Sequence, residues 1–417
     1  MPTPDDRFRH QRPTGTTSAS DLRLALFTDT FAPQVNGVAR TLLRLTETVR
    51  SAGGQVLVVT TSDPRAARDG RTERGTERWA SAPFWKYDEL RLAAPSGARA
   101  RRALRDFRPT LVHAATPFGV GMAGRATARS LGIPLVTSYH TSFTAYCAHY
   151  GLGALAGAGW HFLRWFHNGG QRTFCPTRAV QRELEAQGFA GLSVWGRGVD
   201  MERFSPRYRD DALRARLGVG PGDVVVAYVG RLAAEKGLEL AMVAVRRAQE
   251  LLGGRTAMPR LVFALAGDGP MEAECRRTAP PGTAFAGRLE GNALGAFFAS
   301  ADVFLFPSRT DTFGNVLLEA MASRLAIVAA DAPPTRELLG VDGVLGDDDG
   351  DASDHARGII TPPDADSLGQ ALAELVSDPA RREQFAARAY AHAAGRSWTM
   401  VFDRLLADYR DVMRAAA

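Results

Sequence analysis

The sequence is short of cysteine, of long apolar runs and of the commonest cofactor fingerprints, and each shortage removes a class of answers. Only Cys147, Cys175 and Cys275 occur in 417 residues, far apart and without CxxC or Cys/His ligand spacing. A disulfide scaffold and a thiolate metal site are thereby excluded, and reduced core thiols are expected. No run of eighteen apolar residues exists, so no membrane-spanning helix is expected. Residues 1–20 are polar and rich in Pro, Thr and Ser, with no hydrophobic signal region. That composition implies a disordered N-terminus and a protein that stays in the cytoplasm. The first strand–glycine–helix unit, through Asn36-Gly37, is not GxGxxG, so a dinucleotide reading loses its fingerprint there. The net charge is a modest +6, supplied almost wholly by arginine. It suits a phosphorylated ligand or an anionic membrane surface, and without a recognition motif it argues against nucleic acid. The acidic run GDDDGDASD, residues 346–354, does not alternate over the calcium-loop frame and has no glutamate at the twelfth position. It reads as a flexible acidic loop, and no metal site is expected.

What is present is one strand–loop–helix device used repeatedly in a chain long enough for two domains with substantial cores. LRLALF, within Asp21 to Asp29, precedes Asn36-Gly37 and a helical pattern that ends at Gly53-Gly54. Buried strands QVLVVT, TLVHA and PLVTSYH follow, the second carrying His113 and the third ending at His140. His113 reads as a satisfied histidine at a strand edge, and the charged stretch Asp63 to Trp79 as irregular. A short strand from Thr173 to Pro176 leads to a capped helix, Thr177 to Gln187, closed by Gly188. Glycine and proline then mark a linker between Val199 and Asp211. The cycle restarts with VVVAYVG, the loop RLAAEKG and a helix, then LVFALAGDGP and TAFAGRL. These signals predict an α/β protein of two Rossmann-like domains facing a cleft, residues 21–200 and 201–397. A C-terminal amphipathic helix over 398–417 carries Trp398, Phe402, Leu405, Leu406 and Tyr409 on one stripe.

Chemistry concentrates in Asp302 to Ala330, DVFLFPSRTDTFGNVLLEAMASRLAIVAA. Val303 to Phe306 predicts a buried parallel strand. Val316, Leu317, Ala320 and Met321 have the three and four spacing of a helix that Thr312 can cap. The loop between them lies at a strand's carboxyl end, where such sheets bind ligands. It holds Asp311 and Gly314, and Glu319 stands about one turn into the helix. Free amides from Phe313 through Asn315 suit an anion. Arg231 and Lys236 flank a second strand-end loop, where pyrophosphate could sit between two cations. Solvated basic residues are the plainer alternative there. Arginines between Arg101 and Arg108 read as a solvated helix face or as a surface for anionic lipid. Trp160 to Asn168 reads as core packing, with membrane contact as its alternative.

The Asp311 to Ser323 stretch, with an acidic residue, seven positions and a glutamate before Ala-Met-Ala, resembles the signature of retaining nucleotide-sugar transferases of the two-Rossmann-domain (GT-B) type, family 4. Aspartate stands where many members carry glutamate, as in a subgroup of bacterial mannosyl- and glycolipid transferases. Four other motifs match in order: the Gly37 loop, His140, the Arg231/Lys236 loop, and Gly267 to Pro270. The resemblance implies a nucleotide sugar donor, with GDP-mannose preferred and UDP-glucose or UDP-galactose next. It implies a lipid, lipid-linked or glycan acceptor, retention at the anomeric carbon, no metal or other cofactor, and a last helix that crosses back to the first domain. It further implies diphosphate contacts at Gly37, Arg231, Lys236 and residues Phe313, Gly314 and Asn315, the nucleotide base near Arg288, ribose at Glu319, sugar hydroxyls at His140 and Asp311, and Asp29 on the acceptor side. A nucleotide-sugar 2-epimerase and a non-catalytic nucleotide-sugar binding protein remain open beside it.

Overall fold

The computed structural model describes residues 18–416 apart from 35, 65–74, 85–86, 141–155, 254–258, 312 and 341–355. Among the described residues two parallel sheets carry the fold. The first orders its strands β3-β2-β1-β6-β7-β8-β9. They are β1 (Arg23–Phe27), β2 (Gln55–Thr61), β3 (Thr76–Trp79), β6 (Leu111–Ala114), β7 (Leu135–Ser138), β8 (Arg172–Cys175) and β9 (Leu192–Val194). A small antiparallel ribbon of β4 (Ser81–Phe84) and β5 (Tyr87–Ala93) stands apart. The second sheet runs β12-β11-β10-β13-β14-β15. Its strands are β10 (Val224–Val229), β11 (Leu261–Ala266), β12 (Ala284–Gly287), β13 (Val303–Phe306), β14 (Ala326–Ala330) and β15 (Ile359–Thr361).

Both sheets reverse direction of growth beside their first strand, between β1 and β6 and between β10 and β13, and such switch points open a crevice at the strands' carboxyl ends. Apolar sequence explains the cores. β10, β11, β13 and β14 are buried along their whole length, as strands covered on both faces must be. The last helix, Trp398–Ala416, buries Phe402, Leu405, Leu406, Tyr409 and Val412 against Leu24, Leu26, Val136, Phe174 and Trp195 of the first sheet's layer. The crossing helix expected from the sequence is therefore present. Val199 and Ser397 form a parallel bridge where the two crossing segments run side by side.

Several expectations are corrected. Thr76–Trp79 is a strand, paired parallel to β2, although TERW carries the charges that disguise a short edge strand. His113 lies on the central strand of its sheet rather than at an edge, fully buried and hydrogen-bonded. Of residues 1–20, Ala19 is buried and its N–H donates to the Ala52 carbonyl at 2.8 Å, so order begins before residue 21. The helix over Asn315–Ala322 buries Leu317, Leu318, Ala320 and Met321, with Val316 only partly covered. Thr312, Cys147 and the acidic run lie outside the described residues.

Candidate active site

Each expected site residue follows a strand's carboxyl end, and the fold brings most of them to one cleft. The loop after β10 closes as a short 3-10 turn, Ala234–Lys236. There Lys236 Nζ donates to Asp311 Oδ1 at 2.7 Å, joining the loop after β10 to the loop after β13. Burial would push the Asp311 carboxyl up, but the Lys236 ammonium and the Ser308 hydroxyl hold it below the usual carboxylate range. Arg231 stands 3.9 Å from the buried carboxylate of Glu235. Two cations and two carboxylates thus share this wall. Lys236 is one of only two lysines in a chain with 51 basic residues. A compact ammonium is used here although arginine serves almost everywhere else.

The Asn315–Ala322 helix starts from Gly314, whose φ of 78° is left-handed and suits a residue without a Cβ. The first helix, Gly37–Ser51, is capped by the Asn36 side chain, which accepts from the Ala39 N–H at 2.8 Å. These two helix starts meet: a Cβ on Gly37 would lie 2.9 Å from Asn315 Nδ2. The junction therefore needs glycine for close approach, and it concentrates the positive ends of two helix dipoles. Beside it, Asn315 Oδ1 and Glu319 Oε2 are buried with no hydrogen-bond partner. Burial pushes the Glu319 carboxyl up to about 7, against the opposing pull of Arg40, Arg203 and Arg44. Arg40 and Arg44 come from the first helix, so the acidic helix of one half faces basic residues of the other.

His140 follows β7, and both ring nitrogens are engaged. Nδ1 meets Arg197 Nη2 at 3.0 Å and Nε2 meets Ser138 Oγ at 2.7 Å. The ring packs edge-on against Trp195, and burial together with Arg197 holds its pKa well below the ordinary value. Arg197, which sequence inspection passed over, lies over the Phe313 ring at 6.0 Å and so links the two halves. Its signal was the pair of glycines around it: a Cβ on Gly198 would meet Trp398 N at 2.6 Å. Phe313 itself is buried in the second core.

Two residues fall away from the cleft chemistry. Asp29 is fully buried, and its carboxylate accepts from Thr116 Oγ1 at 2.7 Å and from Val120 N at 2.9 Å. It caps the start of the Gly119–Ser130 helix, with burial pushing its pKa up to about 6. This corrects the acceptor-side expectation, because both oxygens serve the protein's own backbone and Thr116. Arg288 is half-exposed and paired with Glu290 at 2.7 Å, with Asp268 3.6 Å away. A base could stack there only by sharing the guanidinium with Glu290. Among the described residues no group of three or more His, Cys, Asp or Glu is placed to hold a metal ion. Nor is any helix among them long and apolar enough to cross a membrane.

Comparison with known proteins agrees with this geometry. Residues 35–203 match the family model Glycosyltransferase Family 4, and residues 223–378 match Glycosyl transferases group 1. GDP-mannose-dependent alpha-mannosyltransferases of Mycobacterium tuberculosis and Mycolicibacterium smegmatis are 34% and 33% identical, each over 94% of this chain and 97% and 98% of their own. Sulfoquinovosyl transferase SQD2 of Arabidopsis thaliana is 32% identical over 76% of this chain and 61% of its own. In fold, HepE of Anabaena in complex with UDP superposes with a TM-score of 0.70 at 18% identity, covering 93% of this chain and 99% of that one. With five sequence motifs in order, two Rossmann-like sheets and a full-length relative above 30% identity, the chain belongs to glycosyltransferase family 4.

Proposed function

We propose that this transferase moves mannose from GDP-mannose to a lipid or lipid-linked hydroxyl, with retention at the anomeric carbon and without a divalent metal. The observation that carries a nucleotide sugar is the pair of orphaned acceptors, Asn315 Oδ1 and Glu319 Oε2, beside two apposed helix starts. Buried acceptors left unpaired are costly, and ribose and sugar hydroxyls are the donors that would satisfy them. The choice of GDP and mannose rests on the mycobacterial relatives.

The donor diphosphate would lie against the Gly37 and Phe313 to Asn315 amides. Arrival of the diphosphate would draw Lys236 away from Asp311. The freed carboxylate would then orient a sugar hydroxyl while Lys236 and Arg231 stabilise charge on the leaving group. In the front-face course that the family implies, the bond from C1 to the diphosphate oxygen breaks and the acceptor oxygen bonds to C1 on the same face. The acceptor proton passes to the departing phosphate oxygen. His140, with both nitrogens engaged, would act by holding its neighbours or through its main chain. Peripheral contact with an anionic membrane, through exposed Arg101, Arg102 and Arg105, would bring the enzyme to its acceptor.

The test is transfer from GDP-mannose, UDP-glucose or UDP-galactose into a total lipid extract, with the product anomer read by NMR. Alpha-mannosyl lipid is expected from GDP-mannose alone. Transfer only from a uridine donor, or conversion of the donor without acceptor as an epimerase would give, overturns the reading.

A further inference from the structure

Arg197 is buried to 5% exposure at the mouth of the first domain. Nη1 donates to the Trp195 carbonyl at 2.8 Å and the Gly196 carbonyl at 3.1 Å, and Nη2 donates to His140 Nδ1 at 3.0 Å. A guanidinium carries five N–H donors, so at least two remain. None of its contacts among the described residues is a carboxylate. Burial without a counter-charge draws its pKa down to about 10. A buried cation without a counter-charge is expensive to keep. Here it is kept next to Phe313, whose own chain leads into the Gly314–Asn315 helix start.

What holds the guanidinium is a chain of neutral groups. Arginine can only donate, so His140 Nδ1 accepts and its Nε2 carries the hydrogen that goes to Ser138 Oγ at 2.7 Å. Ser138 Oγ meets His113 Nε2 at 2.9 Å, and His113 Nδ1 meets the Tyr409 hydroxyl at 2.7 Å. Tyr409 belongs to the crossing helix, and His113, Ser138 and Tyr409 are all buried. Burial holds the His113 pKa down at about 3, so the chain stays uncharged. Its members lie on β6, on β7 and the loop just after it, and on the last helix.

We propose that Arg197 is the cleft's uncompensated cation for the departing diphosphate, and that the chain Tyr409–His113–Ser138–His140 positions it. The proposal rests on the donor reading above. Arg197 would touch the substrate; the other four are positioning residues that fix the tautomer and plane of the His140 ring and through it the direction of the guanidinium.

Arg197→Gln keeps an amide donor for His140 and removes the charge, so turnover should fall about 10- to 150-fold. Tyr409→Phe keeps the ring in the core and removes one neutral hydrogen bond. Turnover should fall about 2- to 10-fold, with GDP-mannose affinity changed by less than about twofold. In the double variant Tyr409→Phe should cost nothing further, because its effect passes through Arg197. Nitrogen-15 spectra of the histidine rings should show His140 as the Nε2–H tautomer and a changed ring signal in Tyr409→Phe. Additive losses in the double variant, or unchanged ring spectra with wild-type turnover, overturn the proposal. If Tyr409→Phe does not fold, Ser138→Ala replaces it with the same expectations. A wild-type protein that binds no nucleotide sugar refutes the donor reading by itself, while the ring spectra still decide whether the chain sets the tautomer.

Discussion

On the wall of the cleft built by the second sheet, each cation has a carboxylate of its own: Lys236 has Asp311 at 2.7 Å and Arg231 has Glu235 at 3.9 Å. On the wall built by the first sheet, Arg197 is held by an imidazole and two carbonyls. The first arrangement balances charge within the wall and leaves pairs that can be exchanged for a ligand's charges. The second keeps one charge without a carboxylate, at the cost of burying it. On the proposal above, a diphosphate would find Arg197 without a carboxylate to displace and would gain Lys236 only by displacing Asp311. Two helix starts add about half a charge each at the same place.

The largest effect should come from Lys236→Ala, which breaks a pair and leaves Asp311 a half-buried carboxylate without its partner. Turnover should drop about 10- to 150-fold in steady-state assays, from loss of one charge-assisted hydrogen bond. Asp311→Asn sharpens the contrast in the other direction. It frees Lys236, so GDP should bind more tightly by calorimetry while turnover from GDP-mannose falls, and weaker GDP binding would count against the exchange. Glu319→Gln should raise the donor dissociation constant by about 10-fold or more, since one charged acceptor is lost.

Glu319 also gives a pH signature. Its folded pKa of about 7 lies above the ordinary glutamate value of 4.5 because of burial. A carboxyl raised in this way binds more protons folded than unfolded, so stability falls as pH rises from about 4.5 through 7. Buried histidines such as His113 pull the other way, so the readout is the difference: without ligand, Glu319→Gln should gain thermal stability relative to wild type as pH rises through that window. Donor affinity should rise through the same window if the carboxylate accepts from ribose. The smallest expected effect is that of EDTA: the fixed cations supply the compensation, and turnover after chelation should stay near the untreated value. Restoration by magnesium of an activity abolished by EDTA would reverse that expectation.

The apolar strands were legible because burial on both faces leaves no room for polar residues: Val303 to Phe306 and Val224 to Val229 read correctly from composition alone. β3 and the β4–β5 ribbon were not, since edge positions tolerate Glu77, Arg78 and Arg91 and erase the pattern. In the site, Glu319 and Gly314 were legible because helix spacing fixes where they stand. The partners of the cations were not. Glu235 lies one residue from Lys236 in sequence and yet pairs with Arg231, and the 3-10 turn that allows this has no period to read. Asp29 was misplaced because a carboxylate at a strand end looks the same whether it serves a ligand or caps a helix ninety residues away. For Arg197 the flanking glycines were the one signal, and its burial without a carboxylate is a property of the fold that sequence does not show.

The exchange at Lys236 can be observed directly, because the chain has only one other lysine, Lys86. Protein labelled with carbon-13 at lysine gives two side-chain signals, and Lys236→Arg identifies which is which. The account predicts that saturation with GDP in EDTA shifts the Lys236 signal, as its partner changes from carboxylate to diphosphate, and that Asp311→Asn shifts it before GDP is added. A Lys236 signal that stays in place while calorimetry shows the site filled would contradict it.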